Sequence, residues 1–566
     1  MPNGCIGLIS FGTTSYYLKK EKRMKPLLEM KNIVIEGNTG ESWDPIIRGL
    51  DLTLGKGEVL GLIGESGAGK STLGLASMGY TRQGCRIASG SIVFDGHELF
   101  NASEADMRPI RGARIAYVAQ SAAASFNPAH RLIRQYAEGP VQHGLMSAAE
   151  AEEKAITTYE QLLLPDPENI GYRFPHQVSG GQLQRAMVAM AMSCQPDIII
   201  FDEPTTALDV TTQIEVLAAI KKITRRFNTA AIYITHDLAV VAQLADRIMV
   251  LRYGELVEEN DAREMLAHPR EPYTRDLLAV RSFKKGKSDS DSKKDVILEI
   301  DDVTASYTGV DNVLEEIDLK IRRGRTVALV GESGSGKSTL ARVITGLLPP
   351  VKGRVLFKGQ ELSAALKSRK REDLQRLQMI YQMPDTALNP RQKIRKIIGR
   401  PLKFYFNYSR KKQEECILYL LDQIELPGDY IDRYPTELSG GEKQRICIAR
   451  ALAAQPDLII CDEVTSALDQ LVAEGILKLL LNLQRKLQVS YLFITHDLAT
   501  VKAISDEIVV MLNGRIVEKG SKKEILKPPH HEYTDLLLSS VPEMDPGWLD
   551  SLLKARAIRE NTVPHL

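Results

Sequence analysis

Two glycine-rich segments that end in lysine and serine have the residue types that bind phosphate. They are Gly64-Glu65-Ser66-Gly67-Ala68-Gly69-Lys70-Ser71-Thr72 and Gly331-Glu332-Ser333-Gly334-Ser335-Gly336-Lys337-Ser338-Thr339. Both fit G-x-x-x-x-G-K-[ST], the P-loop pattern. Glycines let backbone N–H groups face the phosphates, and the helix that follows adds its positive end. We therefore predict that Lys70 and Lys337 reach the β- and γ-phosphates of a nucleotide, and that Ser71 and Ser338 ligate Mg²⁺.

Carboxylates and histidines follow short apolar runs in both halves of the chain. Asp202-Glu203 and Asp462-Glu463 each follow four apolar residues, and His236 and His496 lie just after two similar runs. Such runs predict buried parallel strands, whose carboxyl ends bind ligands in open α/β sheets. The aspartates there can hold Mg²⁺, and the glutamates can orient and deprotonate water. The histidines can contact the γ-phosphate. A solvated strand end is the alternative for an isolated pair, but recurrence in both halves disfavours it.

Two glutamines and two serine–glycine–glycine segments complete the constellation. We predict, from position alone, that Gln120 and Gln382 complete the shell of Mg²⁺ or of the attacking water. Ser179-Gly180-Gly181-Gln182 and Ser439-Gly440-Gly441-Glu442 precede long helical patterns. Serine is a good N-cap, and the free amides behind it attract an anion. A merely capped helix would explain the serine but not the paired glycines.

Constant spacing shows that whole domains are repeated. From the signature serines onward, each motif of the second set lies 260 residues after its counterpart (439 − 179 for the serines, 462 − 202 for the aspartates, 496 − 236 for the histidines), and the P-loops are 267 residues apart (331 − 64). The predicted organisation is a disordered leader (1–26), a first nucleotide-binding domain (27–282), a flexible Ser- and Asp-rich linker (283–295), a second nucleotide-binding domain (296–541) and a tail (542–566). Helical inserts are predicted at about 125–178 and 387–438, and further helices at Leu217–Arg226 and Leu477–Lys486.

Composition narrows the class of protein. The 566 residues are 43% hydrophobic and 26% charged, which is typical of globular proteins. The net charge of +1 gives no electrostatic argument for nucleic acid. None of the six cysteines forms C-x-x-C, which favours reduced thiols over a metal site. No apolar run approaches the ~20 residues that span a bilayer. In the leader, an anchor around Ile6–Tyr17 and translation from Met24 remain alternatives.

The order of these motifs, with Ala207-Leu208-Asp209 and Ala467-Leu468-Asp469 after the acidic pairs, resembles that of ATP-binding cassette (ABC) ATPases. The resemblance implies an α/β fold with two P-loop NTPase domains, each a RecA-like core with a helical subdomain, and ATP and Mg²⁺ as ligands. In the family the serine–glycine–glycine signature faces the partner's P-loop across a head-to-tail dimer. The signature at Ser439 would thus complete the site of Lys70, and that at Ser179 the site of Lys337. Adenine stacks on an early aromatic residue, which Tyr307 matches. The first copy has Ile35-Glu36-Gly37 there, with Trp43 as a substitute.

Two further segments in each copy indicate a subfamily. These segments are similar to ones in dipeptide, oligopeptide and nickel importer ATPases. They are Ser125-Phe126-Asn127-Pro128 and His268-Pro269-Arg270-Glu271-Pro272-Tyr273-Thr274 in the first copy, and Ala387-Leu388-Asn389-Pro390 and His531-Glu532-Tyr533-Thr534 in the second. The fusion of two copies in one chain resembles the glutathione-type importers. This implies an energy-coupling subunit, peripheral on the cytoplasmic face of the inner membrane. Two transmembrane permease subunits and, through them, an extracytoplasmic solute-binding protein would be partners, without nucleic acid. A soluble tandem cassette protein on ribosomes or DNA, and an exporter ATPase, are the alternatives.

Overall fold

The computed structural model of the chain describes residues 25–205, 208–279, 295–466 and 468–562. The predicted leader and linker therefore lie outside the described residues, except for 25–26 and 295. Within the described ranges, no helix combines the length and apolarity that a membrane crossing requires.

The first copy alternates strands and helices. Its strands are β1 (Leu28–Asn38), β2 (Trp43–Leu54), β3 (Val59–Gly64), β4 (Cys85–Phe94), β5 (His97–Glu98), β6 (Ile115–Val118), β7 (Ile198–Asp202), β8 (Ala230–Ile234), β9 (Arg247–Arg252) and β10 (Glu255–Asp261). Its helices are α1 (Lys70–Ala76), α2 (Glu104–Met107), α3 (Ala122–Ser125), α4 (Leu132–Gln142), α5 (Ala148–Gln161), α6 (Pro167–Ile170), α7 (Gly180–Met192), α8 (Val210–Phe227), α9 (Leu238–Leu244), α10 (Ala262–Ala267) and α11 (Pro272–Ala279).

The second copy repeats this order. Its strands are β11 (Val296–Ser306), β12 (Asn312–Arg322), β13 (Thr326–Val330), β14 (Lys352–Phe357), β15 (Gln360–Glu361), β16 (Leu377–Ile380), β17 (Leu458–Asp462), β18 (Ser490–Ile494), β19 (Glu507–Leu512) and β20 (Arg515–Ser521). Its helices are α12 (Lys337–Thr345), α13 (Arg371–Arg376), α14 (Pro384–Ala387), α15 (Ile394–Phe406), α16 (Arg410–Gln423), α17 (Gly440–Leu452), α18 (Gln470–Leu487), α19 (Leu498–Ile504), α20 (Lys522–Ile525), α21 (Glu532–Ser539) and α22 (Trp548–Thr562).

A six-stranded sheet forms the core of each copy. The strand order is β10-β9-β3-β8-β7-β6 in the first copy and β20-β19-β13-β18-β17-β16 in the second. All neighbours are parallel except the edge strand β10 or β20. Strands β7 and β8 are buried along their whole length, as continuous apolar runs require. The P-loop, the acidic pair and the histidine therefore all leave the same edge of the sheet, and the α/β prediction is confirmed.

A four-stranded antiparallel sheet and a helical insert flank each core. The small sheets run β2-β1-β4-β5 and β12-β11-β14-β15. The insert of the first copy comprises α4, α5 and α6 and packs its apolar face onto α7, with Tyr136 and Tyr159 almost fully buried. The insert of the second copy packs α15 and α16 against α17 in the same way. Both inserts are helical, as the sequence predicted.

The two copies pack against each other through the segments that follow their acidic pairs. Val210 lies against the apolar cluster of the second copy that contains Val330 and Leu498. In return, Leu471 lies against the main core of the first copy. The Thr211 hydroxyl oxygen lies 2.7 Å from a Glu332 carboxylate oxygen in the second P-loop.

The end of the chain returns to the first copy. Leu549 is fully buried in the first copy's core, and Lys221 pairs with Asp550 at 2.9 Å. The buried amide of Gln243 donates to the carbonyl oxygens of Glu543 and Asp545 at 2.7 and 3.0 Å. The segment from Glu543 to Asp550 therefore adds to the direct contacts between the copies.

Candidate active sites

Each P-loop wraps its lysine tightly. The Lys70 ammonium donates to the carbonyl oxygens of Gly64 and Glu65, both at 2.8 Å, and Lys337 does the same to Gly331 at 2.8 Å. Gly64 has a φ of 150°, and a Cβ there would lie 2.1 Å from the Leu251 carbonyl oxygen. Burial lowers the pKa of Lys70, against nearby carboxylates that raise it. A buried cation in a glycine-rich loop at the start of a helix is suited to an anionic ligand such as a phosphate.

A tyrosine from the importer-like segment braces each loop. The backbone N–H of Glu65 donates to the Tyr273 hydroxyl at 3.2 Å, and that of Glu332 donates to the Tyr533 hydroxyl at 2.9 Å. These amides are therefore already engaged. The sequence singled out both tyrosines only as subfamily markers, so their structural role was missed.

The predicted metal ligands lie together in both copies. The Ser71 hydroxyl donates to Asp202 at 2.8 Å, and the Ser338 hydroxyl donates to Asp462 at 3.1 Å. Burial raises the pKa of Asp462 despite its hydrogen bond from Ser338. Hydroxyl and carboxylate oxygens are ligands that Mg²⁺ accepts, together with phosphate oxygens and water. Among the described residues no group of three or more His, Cys, Asp or Glu forms a protein-only metal cage. The donor set thus fits a metal shared with a phosphate.

Each glutamate that the sequence predicts to be catalytic is held between a histidine and a glutamine. Glu203 accepts from the Gln120 amide at 3.1 Å, and its other carboxylate oxygen lies 3.3 Å from Nδ1 of His236. In the second copy the corresponding distances to Glu463 are 2.7 Å from the Gln382 amide and 3.3 Å from His496. Both glutamates have a φ of 49°, a left-handed value that is rare for glutamate. In each copy, the three groups that the sequence predicted separately are therefore in contact.

In each copy, the charge of the glutamate affects the pKa of the histidine beside it. Burial opposes protonation of His496, but its hydrogen bond to Glu463 and the charge of that carboxylate outweigh burial and raise its pKa. The pKa of His236 is raised for the same reasons. Burial alone would raise the pKa of Glu463, yet His496 and Lys337 lower it. Glu463 therefore stays ionised, as a general base requires.

The signature segments begin helices, and their two glycines differ. Ser179 accepts from the N–H of Gln182 at 3.3 Å and caps α7, and Ser439 caps α17 in the same way at 3.4 Å. A Cβ on Gly181 would lie 2.0 Å from a methyl carbon of Thr212, whereas a Cβ on Gly180 would meet nothing within 4 Å. Packing against the copy's own helix α8 therefore explains the second glycine. It does not explain the first.

Groups from both copies share one cavity of about 900 Å³. Its walls include Lys70, Glu203 and His236 of the first copy and Glu463 and His496 of the second. Neither signature serine is among the described residues that line it.

Asp209 and Asp469 each act on the P-loop lysine of the other copy. Burial lowers the pKa of both lysines, against nearby carboxylates that raise it; these include Asp469 of the second copy for Lys70 and Asp209 of the first copy for Lys337. These aspartates also cap α18 and α8. The sequence had placed them in a family motif but not in the site.

The proposed adenine platforms differ between the copies. The Tyr307 hydroxyl lies 3.2 Å from the hydroxyl of Thr339 at the start of α12, and it accepts from Arg342 at 2.9 Å. Its side chain is half exposed. Trp43 lies on the strand neighbouring Gly37, with the Arg86 guanidinium 4.3 Å from its ring centre.

Comparison with known proteins identifies the family. The ABC transporter family matches residues 47–206 and 314–466, and the C-terminal region of oligopeptide/dipeptide transporters matches residues 517–564. The glutathione import ATP-binding protein GsiA of Salmonella choleraesuis (strain SC-B67) is 38% identical over 543 residues, which cover 88% of this chain and 87% of that protein. The chain belongs to the peptide-importer class of ABC ATPases. It is an ATPase with two ATP-binding cassettes.

A second relative and one solved structure are also similar to this tandem ABC ATPase. GsiA of Escherichia coli O157:H7 is 37% identical over 563 residues, 92% of this chain and 90% of that protein. Among solved structures, the archaeal ribosome recycling factor aABCE1, in complex with the stalk protein aP1, matches with a TM-score of 0.59 and 21% identity over 87% of this chain and 90% of that chain. At that identity the likeness concerns the fold alone.

Proposed function

We propose that this ABC ATPase couples Mg²⁺-dependent ATP hydrolysis to the import of peptides or related small solutes. The relatives that cover most of its length are named for glutathione import, and its C-terminal region matches that of oligopeptide and dipeptide transporters. One observation carries the proposal above the others. Complete glutamate–histidine–glutamine clusters from both copies line a single cavity, which suits two ATP sites that act together.

The residues of each site divide the chemistry between them. Lys70 and Lys337 bind the β- and γ-phosphates, and Ser71 with Asp202 and Ser338 with Asp462 hold the metal. Mg²⁺ would neutralise charge on the phosphates. Glu203 and Glu463 accept a proton from the attacking water, while the neighbouring histidine and glutamine keep that water in line with the phosphate.

The signatures complete the sites when the copies close. We assign Ser439-Gly440-Gly441 to the nucleotide of Lys70, and Ser179-Gly180-Gly181 to that of Lys337. The positions of Asp209 and Asp469 support this pairing, because the charge of each acts on the pKa of the other copy's P-loop lysine. Two cassettes in one chain are held at a high effective concentration. ATP would close them, and hydrolysis would release them.

The transport partners follow from the proposed import. Two transmembrane permease subunits would receive the motion, and an extracytoplasmic solute-binding protein would deliver the solute to them. The chain would lie on the cytoplasmic face of the inner membrane, held there by protein contacts. We also propose that the two ATPase domains comprise residues 27–282 and 296–541, and that residues 542–566 form a C-terminal tail.

Two sets of variants test the chemistry. Lys70→Ala with Lys337→Ala should abolish Mg²⁺-dependent hydrolysis, since neither P-loop then has a cation for the phosphates. Glu203→Gln with Glu463→Gln should bind ATP and retain it unhydrolysed, as measured by the ratio of retained ATP to ADP. Rapid release of ADP by the second double variant would contradict the assignment of the glutamates.

Co-purification from native membranes tests the partners. The expected result is a stable complex with permease subunits, and membrane association only when they are coexpressed. Equal membrane association without any permease would contradict attachment through protein partners.

A further inference from the structure

The two magnesium-binding aspartates are held differently. In the first copy, one oxygen of Asp202 accepts from Ser71 at 2.8 Å, and the other accepts from the Tyr117 hydroxyl. In the second copy, one oxygen of Asp462 accepts from Ser338 at 3.1 Å. Within the described part of the chain, no side chain donates a hydrogen bond to the other oxygen of Asp462. The two sites are therefore unequal at the carboxylate that the metal needs.

One of the residue differences between the repeated strands, tyrosine against methionine, produces this difference. Tyr117 is the third residue of β6 and pairs with Ile200, two residues before Asp202. Met379 is the third residue of β16 and pairs with Ile460, two residues before Asp462. Residues two apart on a strand face the same side of the sheet, so position 117 faces Asp202 just as position 379 faces Asp462. A thioether has no hydrogen to donate, whereas the phenol has one.

A cation near Asp202, Arg82, does not account for the difference between the two aspartates. The Arg82 guanidinium lies 3.9 Å from Asp202, but 61% of its side chain is exposed. Solvent and salt screen such a charge strongly. The Tyr117 hydroxyl, by contrast, reaches an aspartate side chain that is only 6% exposed.

We propose that Tyr117 is a positioning residue that makes the two magnesium sites of the chain unequal, so that the first takes Mg²⁺ at a lower concentration than the second. This inference rests on the proposed Mg²⁺-dependent function. A carboxylate fixed at both oxygens loses less freedom on binding a metal, and it still has lone pairs to offer because it can accept about four hydrogen bonds. Loss of such an outer partner typically weakens metal binding by about 10- to 100-fold.

Single-site proteins allow each cassette to be measured alone. Lys337→Ala leaves only the first site, and Lys70→Ala leaves only the second. In each protein, Mg²⁺ is titrated against the binding of a slowly hydrolysed ATP analogue, and Mn²⁺ binding is followed by electron paramagnetic resonance. The unaltered first site should reach half-saturation at a several-fold lower Mg²⁺ concentration than the second. Tyr117→Met, which copies the second site, should raise that concentration about tenfold.

Matched variants separate positioning from folding. Tyr117→Phe keeps the ring and loses only the hydroxyl, so it should reproduce the effect of Tyr117→Met. Met379→Tyr should shift the second site in the opposite direction. Equal Mg²⁺ requirements at the two sites, or an unchanged requirement in Tyr117→Phe, would overturn the inference while leaving the proposed function intact. Nucleotide binding that ignores Mg²⁺ and Mn²⁺ at both sites would overturn both.

Discussion

The two glycines of the first signature, Gly180 and Gly181, allow helix packing and phosphate binding to be tested separately. In Gly181→Ala the new methyl would lie 2.0 Å from a Thr212 methyl carbon on α8. Thr212 cannot simply turn away, because its N–H and its hydroxyl both donate to Asp209, at 2.9 and 3.2 Å. In Gly180→Ala the methyl points into open space. The two variants should therefore fail in different ways.

The magnitude follows from that contact. Overpacking a helix interface costs roughly 1–3 kcal/mol, and replacing glycine by alanine in a helix returns up to about 1 kcal/mol. We expect Gly181→Ala to destabilise the nucleotide-free protein by about 1–2 kcal/mol, or roughly 2–8 °C in Tm for a domain of this size. Gly180→Ala should be neutral or slightly stabilising, yet it should slow ATP hydrolysis at least about tenfold, which corresponds to about 1.4 kcal/mol.

Thermal unfolding and steady-state ATPase assays, run side by side, check both expectations. The second copy provides a matched pair, because a Cβ on Gly441 would lie 2.4 Å from a Val472 methyl carbon, whereas Gly440 has only an ordinary contact at 3.7 Å. Full turnover in Gly180→Ala would refute the role of the first glycine in phosphate binding. An unchanged Tm in Gly181→Ala would refute the packing argument for the second.

Three further predictions concern stability and pH. Leu549→Ala should lower the unfolding free energy of the first domain by about 2–5 kcal/mol, measured by denaturant titration, because the side chain is fully buried there; a loss below about 0.5 kcal/mol would contradict the docking of the tail. Tyr273→Phe should weaken ATP binding by about 0.5–1.5 kcal/mol in a binding titration, since the Glu65 amide loses its acceptor; unchanged affinity would count against the brace. His236→Asn with His496→Asn should destabilise the nucleotide-free protein most below about pH 6.5, because the raised histidine pKa favours the protonated, paired form, and that stabilisation is lost as the pH rises through the raised pKa. The free energy of unfolding of the variant and of the unaltered protein is measured between pH 6 and 8.5. A loss of stability in the variant that grows as the pH rises would contradict this prediction.

Local spacing in the sequence is enough to predict where the candidate site residues lie in the fold. The P-loops, the acidic pairs and the histidines each lie at a strand end, so an apolar run followed by a polar residue suffices to place them. Helix α8 is less well predicted, because it begins at Val210 rather than Leu217. Its first turn contains valine and threonine, which are poor helix formers, and the Asp209 cap compensates for them.

Contacts between distant segments leave no such pattern. Tyr117 lies in an apolar strand and therefore looks like a core residue until Asp202 is placed beside it. The return of Leu549 to the first copy joins residues far apart in sequence, and no periodicity indicates it. Gln243 and Lys221 do mark the place, because the corresponding residues of the second copy are Ala503 and Leu481. These two differences between the copies can be interpreted only when the structure shows that the C-terminal segment packs against Gln243 and Lys221.

The central claim is that the two cassettes of one chain complete each other's ATP sites, and disulfide crosslinking tests it most directly. In a background without native cysteines, Ser71→Cys is combined with Ser439→Cys or, as the control, with Ser179→Cys. Crosslinking with ATP present, at a concentration low enough to exclude contacts between chains, should be far more efficient for the pair with Ser439→Cys. Preferential crosslinking of the pair with Ser179→Cys would contradict the intrachain head-to-tail arrangement.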